Sequence, residues 1–389
     1  MFKFILRYYL PFNLLFDVFT STIWQSNVTT ASIRGLILTS IIFVGWFKES
    51  QSKIFLPFMV ITFYVMLLFP FATNFLESLR LSSKFFFTIW AFPVFYVHSH
   101  LFTSKVIKRN IFILSVILVA NYVVSTLFGI GGSAYTESNE FLVGSLADSW
   151  LIYSYVLFLY IIILKTKDIK GSAKLIYLVM FALIVLQLIL GLKRTAIIVF
   201  FMGIVMFLYL EKVNIKTIFT MTFGLFFILV LLNQYSDVFE SRMYARGDRV
   251  QGNYKDIVES EYRYLESIYV WEKVLSFENI PESLFGFEAY NSRGNYGTSN
   301  LFGERFLHVD YNIIVNTTGL VGLFLYFYLF YFIYQRYKEK KIYLDYKYRE
   351  LFLIIFFTQF FASIGGQMLS ISFGSIKFAF MAIAIKKLR

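Results

Sequence analysis

Apolar residues occur along this chain in blocks of about 16 to 25 positions, and short charged runs separate the blocks. Blocks of this length match the number of residues that an α-helix needs to cross the hydrocarbon core of a bilayer. The pattern predicts about twelve membrane-spanning helices, at 4–24, 33–47, 54–71, 85–101, 111–129, 149–164, 175–191, 195–210, 217–232, 309–334, 350–369 and 371–385. Arg7, Pro11 and Asp17 interrupt the first block, so an interfacial helix is the alternative there.

Composition supports the same fold class. Of the 389 residues, 58% are hydrophobic and 21% are aromatic, and the mean hydropathy is +0.66. A soluble protein with this composition could not cover its surface with polar side chains. The values exclude a soluble enzyme, a nucleic-acid-binding protein, a secreted disulfide scaffold and a fibrous protein. The chain contains no Cys, which excludes disulfides, a thiolate nucleophile and Cys-ligated metal sites. We therefore predict an all-α polytopic membrane protein.

The placement of Lys and Arg predicts how these helices are oriented. Every second loop is basic, most clearly 335–349, whereas the opposite loops 25–32 and 130–148 contain no Lys or Arg. Basic loops lie on the cytoplasmic side, so both termini are expected in the cytoplasm, and the first helix is expected to be retained. The net charge of +12 is then explained by topology, and no nucleic-acid partner is expected.

A polar segment at 233–308 interrupts the series of short loops and holds half of the 24 acidic residues. A polar connection of this length is usually functional. We predict three parts of the chain: 1–232 with the first nine helices, 233–308 as a large outer loop, and 309–389 with the last three helices and a cytoplasmic tail.

Within the outer loop, residues 256–277 have the spacing of an amphipathic helix. Pro281 and Gly286 are expected to end this helix, and the glycine-rich segment that follows is predicted as loop. The predicted apolar face consists of Ile257, Tyr264, Leu265, Ile268, Trp271 and Leu275.

Motifs for several kinds of chemistry are absent from the sequence. It contains no G-x-x-x-x-G-K-[ST], no G-x-S-x-G, no H-E-x-x-H, and neither D-x-D nor Q-x-x-R-W. The longest predicted cytoplasmic loop has about 15 residues, too few for a nucleotide-sugar-binding domain. Any reaction is therefore expected on the outer side of the membrane. Its energy is expected to come from the substrate or from a gradient, and no cofactor is expected.

His98 and His100 form an H-x-H motif in the fourth predicted helix. No carboxylate lies nearby in the sequence to complete a metal site. We interpret these residues as polar lining and predict no metal site.

Two cations, Lys193 and Arg194, lie where two predicted helices join through almost no loop. The planar guanidinium of Arg suits the paired oxygens of a phosphate, so we interpret the two residues as a clamp for a diphosphate. The alternative is that both side chains reach lipid headgroups and do nothing more.

The outer loop contains six Arg and two Lys. Because Arg is preferred where an anion is recognised at two points, at least one of these residues is expected to bind the substrate. The alternative is surface ion pairing. Glu259 and Arg263, for example, are four residues apart and could form such an ion pair on a helix. The loop arginines are Arg242, Arg246, Arg249, Arg263, Arg293 and Arg305.

His308 is the only His in the predicted outer regions, and it directly precedes the tenth predicted helix. An imidazole exchanges a proton near neutral pH, which suits a general base acting on a sugar hydroxyl. Asp310, two residues further on, could orient the imidazole or bind the sugar. The alternative for His308 is a capping residue at the level of the headgroups.

Four features together resemble the O-antigen polymerase and ligase superfamily. They are G-L-K-R-T-A-I-I at 191–198, the long outer loop, L-F-G-F at 284–287, and R-F-L-H-V-D-Y-N-I-I-V-N-T-T-G-L-V-G-L-F-L-Y at 305–326. The motifs cover roughly 170–335, and the rest of the chain is similar only in its number of helices. The resemblance implies a GT-C-like, metal-independent glycosyltransferase of the bacterial inner membrane that uses undecaprenyl-diphosphate-linked glycans.

The functional residues of that family are an Arg at the small-residue hairpin, an Arg in the loop helix and a His that opens the following span. The matching positions here are Arg194, Arg263 and His308. The family usually places a Trp close after the loop Arg, whereas Trp271 lies eight residues after Arg263. The other loop candidates for this role are Arg242, Arg246 and Arg249.

The resemblance implies a surface polysaccharide polymerase that joins lipid-linked repeat units on the periplasmic face. His308 and Asp310 are its expected catalytic residues. The expected partners are the undecaprenyl-diphosphate-linked oligosaccharide, the lipid bilayer, a chain-length regulator and a flippase. The expected diphosphate ligands are Lys193, Arg194, Arg242, Arg263 and Arg305.

Two other functions stay open at this point. An O-antigen ligase would use the same motifs to transfer the finished glycan to the lipid A core. A lipid-linked oligosaccharide flippase would need ionisable residues within its membrane helices, where Lys377 is the clearest charge.

Overall fold

The computed structural model describes residues 2–22, 28–48, 51–128, 171–190, 194–211, 262–286, 289–292, 306–340, 346–364 and 373–386. These ranges contain thirteen α-helices and no β-strand, which confirms the all-helical prediction for this part of the chain. The helices are α1 (Phe2–Arg7), α2 (Tyr9–Thr22), α3 (Val28–Lys48), α4 (Leu56–Leu68), α5 (Phe75–Val97), α6 (Ser104–Phe128), α7 (Ser172–Leu190), α8 (Arg194–Glu211), α9 (Tyr262–Leu275), α10 (Ile280–Phe285), α11 (Asp310–Lys340), α12 (Tyr346–Ala362) and α13 (Phe373–Lys386).

Several of these helices are apolar enough to indicate a membrane protein. A helix overlaps ten of the twelve predicted spans, and the other two spans, 149–164 and 217–232, lie outside the described residues. The total of twelve stays a prediction. The helical segments long and apolar enough to cross a membrane, within the described ranges, are Lys53–Phe71, Ser104–Val124 and Asp310–Lys340. Shorter apolar helices lie at Gly35–Lys48, Lys174–Val185, Ile198–Leu210 and Gly374–Ile385.

Helix α13 lies at the centre of the described bundle. Every residue from 374 to 385 is buried, and the helix packs along α5 and against α12. Small residues such as Ala379 and Ala382 allow neighbouring backbones to approach closely. Ser375 also attaches α2 to this helix, because its Oγ accepts hydrogen bonds from Tyr9 Oη at 3.0 Å and Asn13 Nδ2 at 3.1 Å.

Helix α11 is interrupted at Gly319, which has φ 66° and ψ −173°. The hydroxyl of Tyr64 on α4 lies in this break: it donates a hydrogen bond to the Thr318 carbonyl at 2.6 Å, and the Gly322 backbone N–H is hydrogen-bonded to the same hydroxyl. In a continuous α-helix the N–H of residue 322 would bond directly to the carbonyl of residue 318. Tyr64 therefore bridges the two backbone groups that the break separates, as apolar surroundings require.

The outer loop contributes two helices, α9 and α10, which pack against each other and against the first part of α11. A helix within 256–277 is thereby confirmed over Tyr262–Leu275, and 256–261 lie outside the described residues. The expectation that Pro281 ends this helix is wrong. Helix α9 ends before Phe277, whose φ is +54°, and Pro281 lies in the first turn of α10, where its missing N–H leaves no hydrogen bond unmade. Gly286 ends α10 instead.

The predicted apolar face of α9 is also wrong in part. Tyr264 and Leu275 are exposed. The buried positions are Glu266, Val270 and Val274, which are spaced four residues apart and so share one face of the helix. This face directs a carboxylate into the contact with α11.

Candidate functional site

His308 lies in the short non-helical segment that leads into α11. Its neighbours Leu307 and Val309 are buried, whereas the His308 side chain is 30% exposed. The backbone N–H of Leu307 donates a hydrogen bond to Ser292 Oγ at 3.1 Å, which attaches this segment to an earlier part of the outer loop. The imidazole is thus held at a fixed place while part of it stays accessible.

Glu266 of α9 is the carboxylate beside His308. Its Oε1 lies 3.4 Å from His308 Nδ1, and its Oε2 accepts a hydrogen bond from the His308 backbone N–H at 3.3 Å. The Glu266 side chain is 0% exposed. Because solvent does not screen this carboxylate, its interaction with the imidazole is stronger than that of a surface pair.

A second set of polar contacts fixes α9 against α11 one turn further on. Trp271 Nε1 donates a hydrogen bond to Asn312 Oδ1 at 3.2 Å, and Asn312 Nδ2 donates one to Ser267 Oγ at 2.8 Å. Asn312 is buried, so these bonds form where water cannot replace them. They set the register of the two helices and therefore the position of Glu266 relative to His308.

Asp310 is the first residue of α11 and is 1% exposed. Its carboxylate interacts electrostatically with Lys377, a residue of α13 that is also 1% exposed. Lys377 lies close to the N-terminal end of α13. Asp310 thus lies within electrostatic range of the central helix, whereas Glu266 provides the carboxylate beside His308.

Tyr290 packs behind this polar region. Its ring stacks on Phe85 with 4.6 Å between the centroids. Burial raises the pKa of the Tyr290 hydroxyl well above its usual range, and the nearby groups of Tyr326, Asp310 and Tyr64 raise this pKa further. Tyr290 is therefore neutral at physiological pH and is available only as a hydrogen-bonding group.

The predicted diphosphate ligands lie at helix starts or outside the described residues. Arg194 is the first residue of α8, and Arg263 lies in the first turn of α9, three positions before Glu266. Lys193, Arg242 and Arg305 lie outside the described residues. The phosphate-binding role of all five stays a prediction.

The H-x-H motif has structural contacts. His98 is buried, its Nε2 lies 3.3 Å from the Gly45 carbonyl oxygen, and its ring meets the Phe2 ring edge-on. Within the described residues, no group of three or more His, Asp or Glu could hold a metal ion. The contacts of His98 with Gly45 and Phe2 are structural, and its interpretation as polar lining stays a prediction.

Glu266 is the residue of the site that the sequence analysis missed. Its spacing from Val270 and Val274 places it on the same face as two apolar residues, and this was the available signal. The predicted face was centred instead on the larger residues Tyr264, Leu265 and Trp271.

No protein-family model matches this chain, and no curated protein matches it either. The chemistry assigned to the site consequently depends on the residues themselves.

Proposed function

We propose that the protein is a surface polysaccharide polymerase of the O-antigen type, a GT-C-like enzyme of the bacterial inner membrane with both termini in the cytoplasm. It joins undecaprenyl-diphosphate-linked repeat units on the periplasmic face. The observation that supports this proposal most directly is the partly exposed His308 beside the buried Glu266, at the junction of an outer-loop helix with an apolar helix.

In the proposed reaction, a hydroxyl of the incoming lipid-linked unit attacks the anomeric carbon of the growing chain. The new glycosidic bond forms as the bond to the undecaprenyl diphosphate breaks. His308 accepts the proton of the attacking hydroxyl. Arg194 and Arg263 neutralise the charge that develops on the leaving diphosphate, which lowers the energy of the transition state.

The reaction needs no nucleotide because the bond to the lipid diphosphate supplies the driving force. This agrees with a sequence that has no nucleotide-binding motif and no long cytoplasmic loop. A chain-length regulator and a flippase belong to the same proposal as partners.

The test uses purified protein in liposomes with the lipid-diphosphate-linked repeat unit and no lipid A. We expect a ladder of longer glycans that are still attached to the lipid. His308→Ala should abolish the ladder, whereas His100→Ala, a matched change at an exposed His outside the site, should leave it intact. A normal ladder in His308→Ala would remove the catalytic assignment.

Two other outcomes would replace the proposed function. Transfer of glycan only after addition of lipid A core would identify a ligase. Movement of the lipid-linked unit across the bilayer without any new glycosidic bond would identify a flippase, for which the buried Asp310 and Lys377 would be the first residues to substitute.

A further inference from the structure

We propose that Glu266 is a positioning residue whose carboxylate holds the Nδ1–H of neutral His308, so that Nε2 accepts the proton in the reaction proposed above, on which this role depends. Neither the motifs of the sequence nor the predicted functional residues include Glu266.

The two contacts of this carboxylate act on different parts of His308. One oxygen accepts a hydrogen bond from the backbone N–H at 3.3 Å, and the other lies 3.4 Å from Nδ1. The first contact places the residue, and the second puts Nδ1 next to a carboxylate oxygen.

The chemistry of the carboxylate determines the tautomer. An ionised carboxylate only accepts hydrogen bonds, whereas a neutral imidazole has one donor and one acceptor nitrogen. In the proposed arrangement Nδ1 beside Glu266 carries the proton, and Nε2 keeps its lone pair. The same division of roles occurs where a carboxylate orients a catalytic or metal-binding His.

Glu266 lies on a buried face of α9 that is held against α11. Val270 and Val274 on the same face of α9 are buried. The bonds from Asn312 to Ser267 and from Trp271 to Asn312 hold α9 in register. A group fixed in this way is suited to orient a catalytic side chain.

Glu266→Gln gives a specific test because its effect on the tautomer can be predicted. The backbone N–H of His308 is always a donor, so it will donate its hydrogen bond to the oxygen of the new side-chain amide. The amide NH₂ then faces Nδ1 and forces it to act as an acceptor. The proton should consequently move from Nδ1 to Nε2, which removes the proposed base without a change of shape.

The experiment reads the tautomer by nitrogen-15 NMR of histidine-labelled protein. The chain has three His, so a His98→Gln/His100→Gln parent leaves His308 as the only labelled residue, once this parent is shown to make the normal ladder. The spectrum is recorded over a pH series, and the tautomer is read where the shifts of both ring nitrogens show a neutral ring. We expect the Nδ1–H tautomer in the parent and the Nε2–H tautomer in Glu266→Gln, with polymer reduced by about 10²-fold or more.

Two variants control for folding and for general charge effects. Glu272→Gln removes an exposed carboxylate from the same helix and should change neither the tautomer nor the polymer. Glu266→Asp keeps the carboxylate charge and should keep the Nδ1–H tautomer and part of the polymerase activity. A purely structural role of Glu266 would not predict that activity follows the tautomer. If Glu266→Gln does not fold, this conservative variant still tests the assignment: an Nε2–H tautomer there would overturn it.

An Nε2–H tautomer in the parent, or an unchanged Nδ1–H tautomer in folded Glu266→Gln, would overturn the positioning role. A normal ladder in a Glu266→Gln protein with the switched tautomer would overturn it as well. If both the parent and the native protein fail to polymerise, that result counts against the proposed function. The NMR measurement uses no substrate, so it still reports separately on the role of Glu266.

Discussion

Gly286 and Gly319 lie at a backbone-to-backbone contact between α10 and the break in α11. A Cβ at Gly286 would overlap the backbone of Thr317 and Thr318, and a Cβ at Gly319 would overlap the backbone of Leu284. Both glycines have positive φ values, +85° and +66°, which disfavour any other residue. The Cβ overlap and the positive φ thus each require glycine at both positions. The contact attaches the outer loop to α11, the apolar helix that follows His308.

We expect Gly286→Ala and Gly319→Ala each to lower the free energy of unfolding by about 1–3 kcal/mol through backbone strain. Overlap of the new Cβ with the neighbouring backbone should add to this loss. Thermal unfolding in detergent measures the loss. Gly35→Ala is the matched control, since a Cβ there meets nothing within 4 Å. An unfolding midpoint for Gly319→Ala equal to that of Gly35→Ala would contradict the tight contact.

Tyr64→Phe should weaken α11 locally. The change removes the hydroxyl that bridges Thr318 and Gly322 and leaves two backbone groups without this partner in apolar surroundings, at a cost of about 1–3 kcal/mol. Hydrogen exchange should become faster at the Gly322 amide. Tyr331→Phe, at an exposed position of α11, should leave this exchange rate unchanged; an equal change in both variants would rule out the bridging role.

Asp310 and Lys377 should behave as a coupled pair. Asp310→Asn or Lys377→Met alone leaves one buried charge without the other, and we expect each to cost about 3–5 kcal/mol of stability. The double variant should lose less than the sum of the two single losses. Thermal unfolding of all four proteins completes the cycle, and strictly additive losses would show that the two charges do not interact.

The same double variant separates a structural role of Asp310 from a catalytic one. If Asp310 only anchors α11 to α13, the double variant should recover polymer together with stability. If the carboxylate acts on the substrate, stability should return while the ladder stays absent. The liposome assay distinguishes the two results.

Arg194 and Arg263 should be needed for turnover rather than for folding. Substitution of either residue by Ala should reduce polymer by about 10²-fold or more, because a charged group that stabilises the leaving diphosphate is lost. Lys should restore only part of the activity, since it cannot bind two phosphate oxygens in a fixed plane. The protein level in the membrane should not change.

Arg80→Ala is the control for these arginine changes, because Arg80 is exposed and is already paired with Glu77 on α5. Its ladder should be normal. A normal ladder in Arg263→Ala would move the second phosphate-binding role to another arginine of the outer loop, with Arg242 the first to substitute.

Helix positions could be predicted from the sequence because the length of an apolar block and the spacing of apolar residues along a helix face are local properties of the chain. The apolar block predicts the helix after His308, and the amphipathic spacing predicts the helix around Trp271. The exact ends were less predictable: Pro281 was expected to end one helix but begins another, because proline also fits the first turn.

The contacts of the site depended on packing between distant parts of the chain. His308 and Glu266 are 42 positions apart, and Asp310 interacts electrostatically with Lys377 only because α11 and α13 lie together in the bundle. Asp310 was the obvious partner for His308 from its position two residues away, yet the carboxylate beside Nδ1 comes from α9. Local periodicity shows which residues share a helix face. Which residues that face contacts is decided by tertiary packing, because a buried charge or an interrupted backbone hydrogen bond needs a polar group beside it where water is absent.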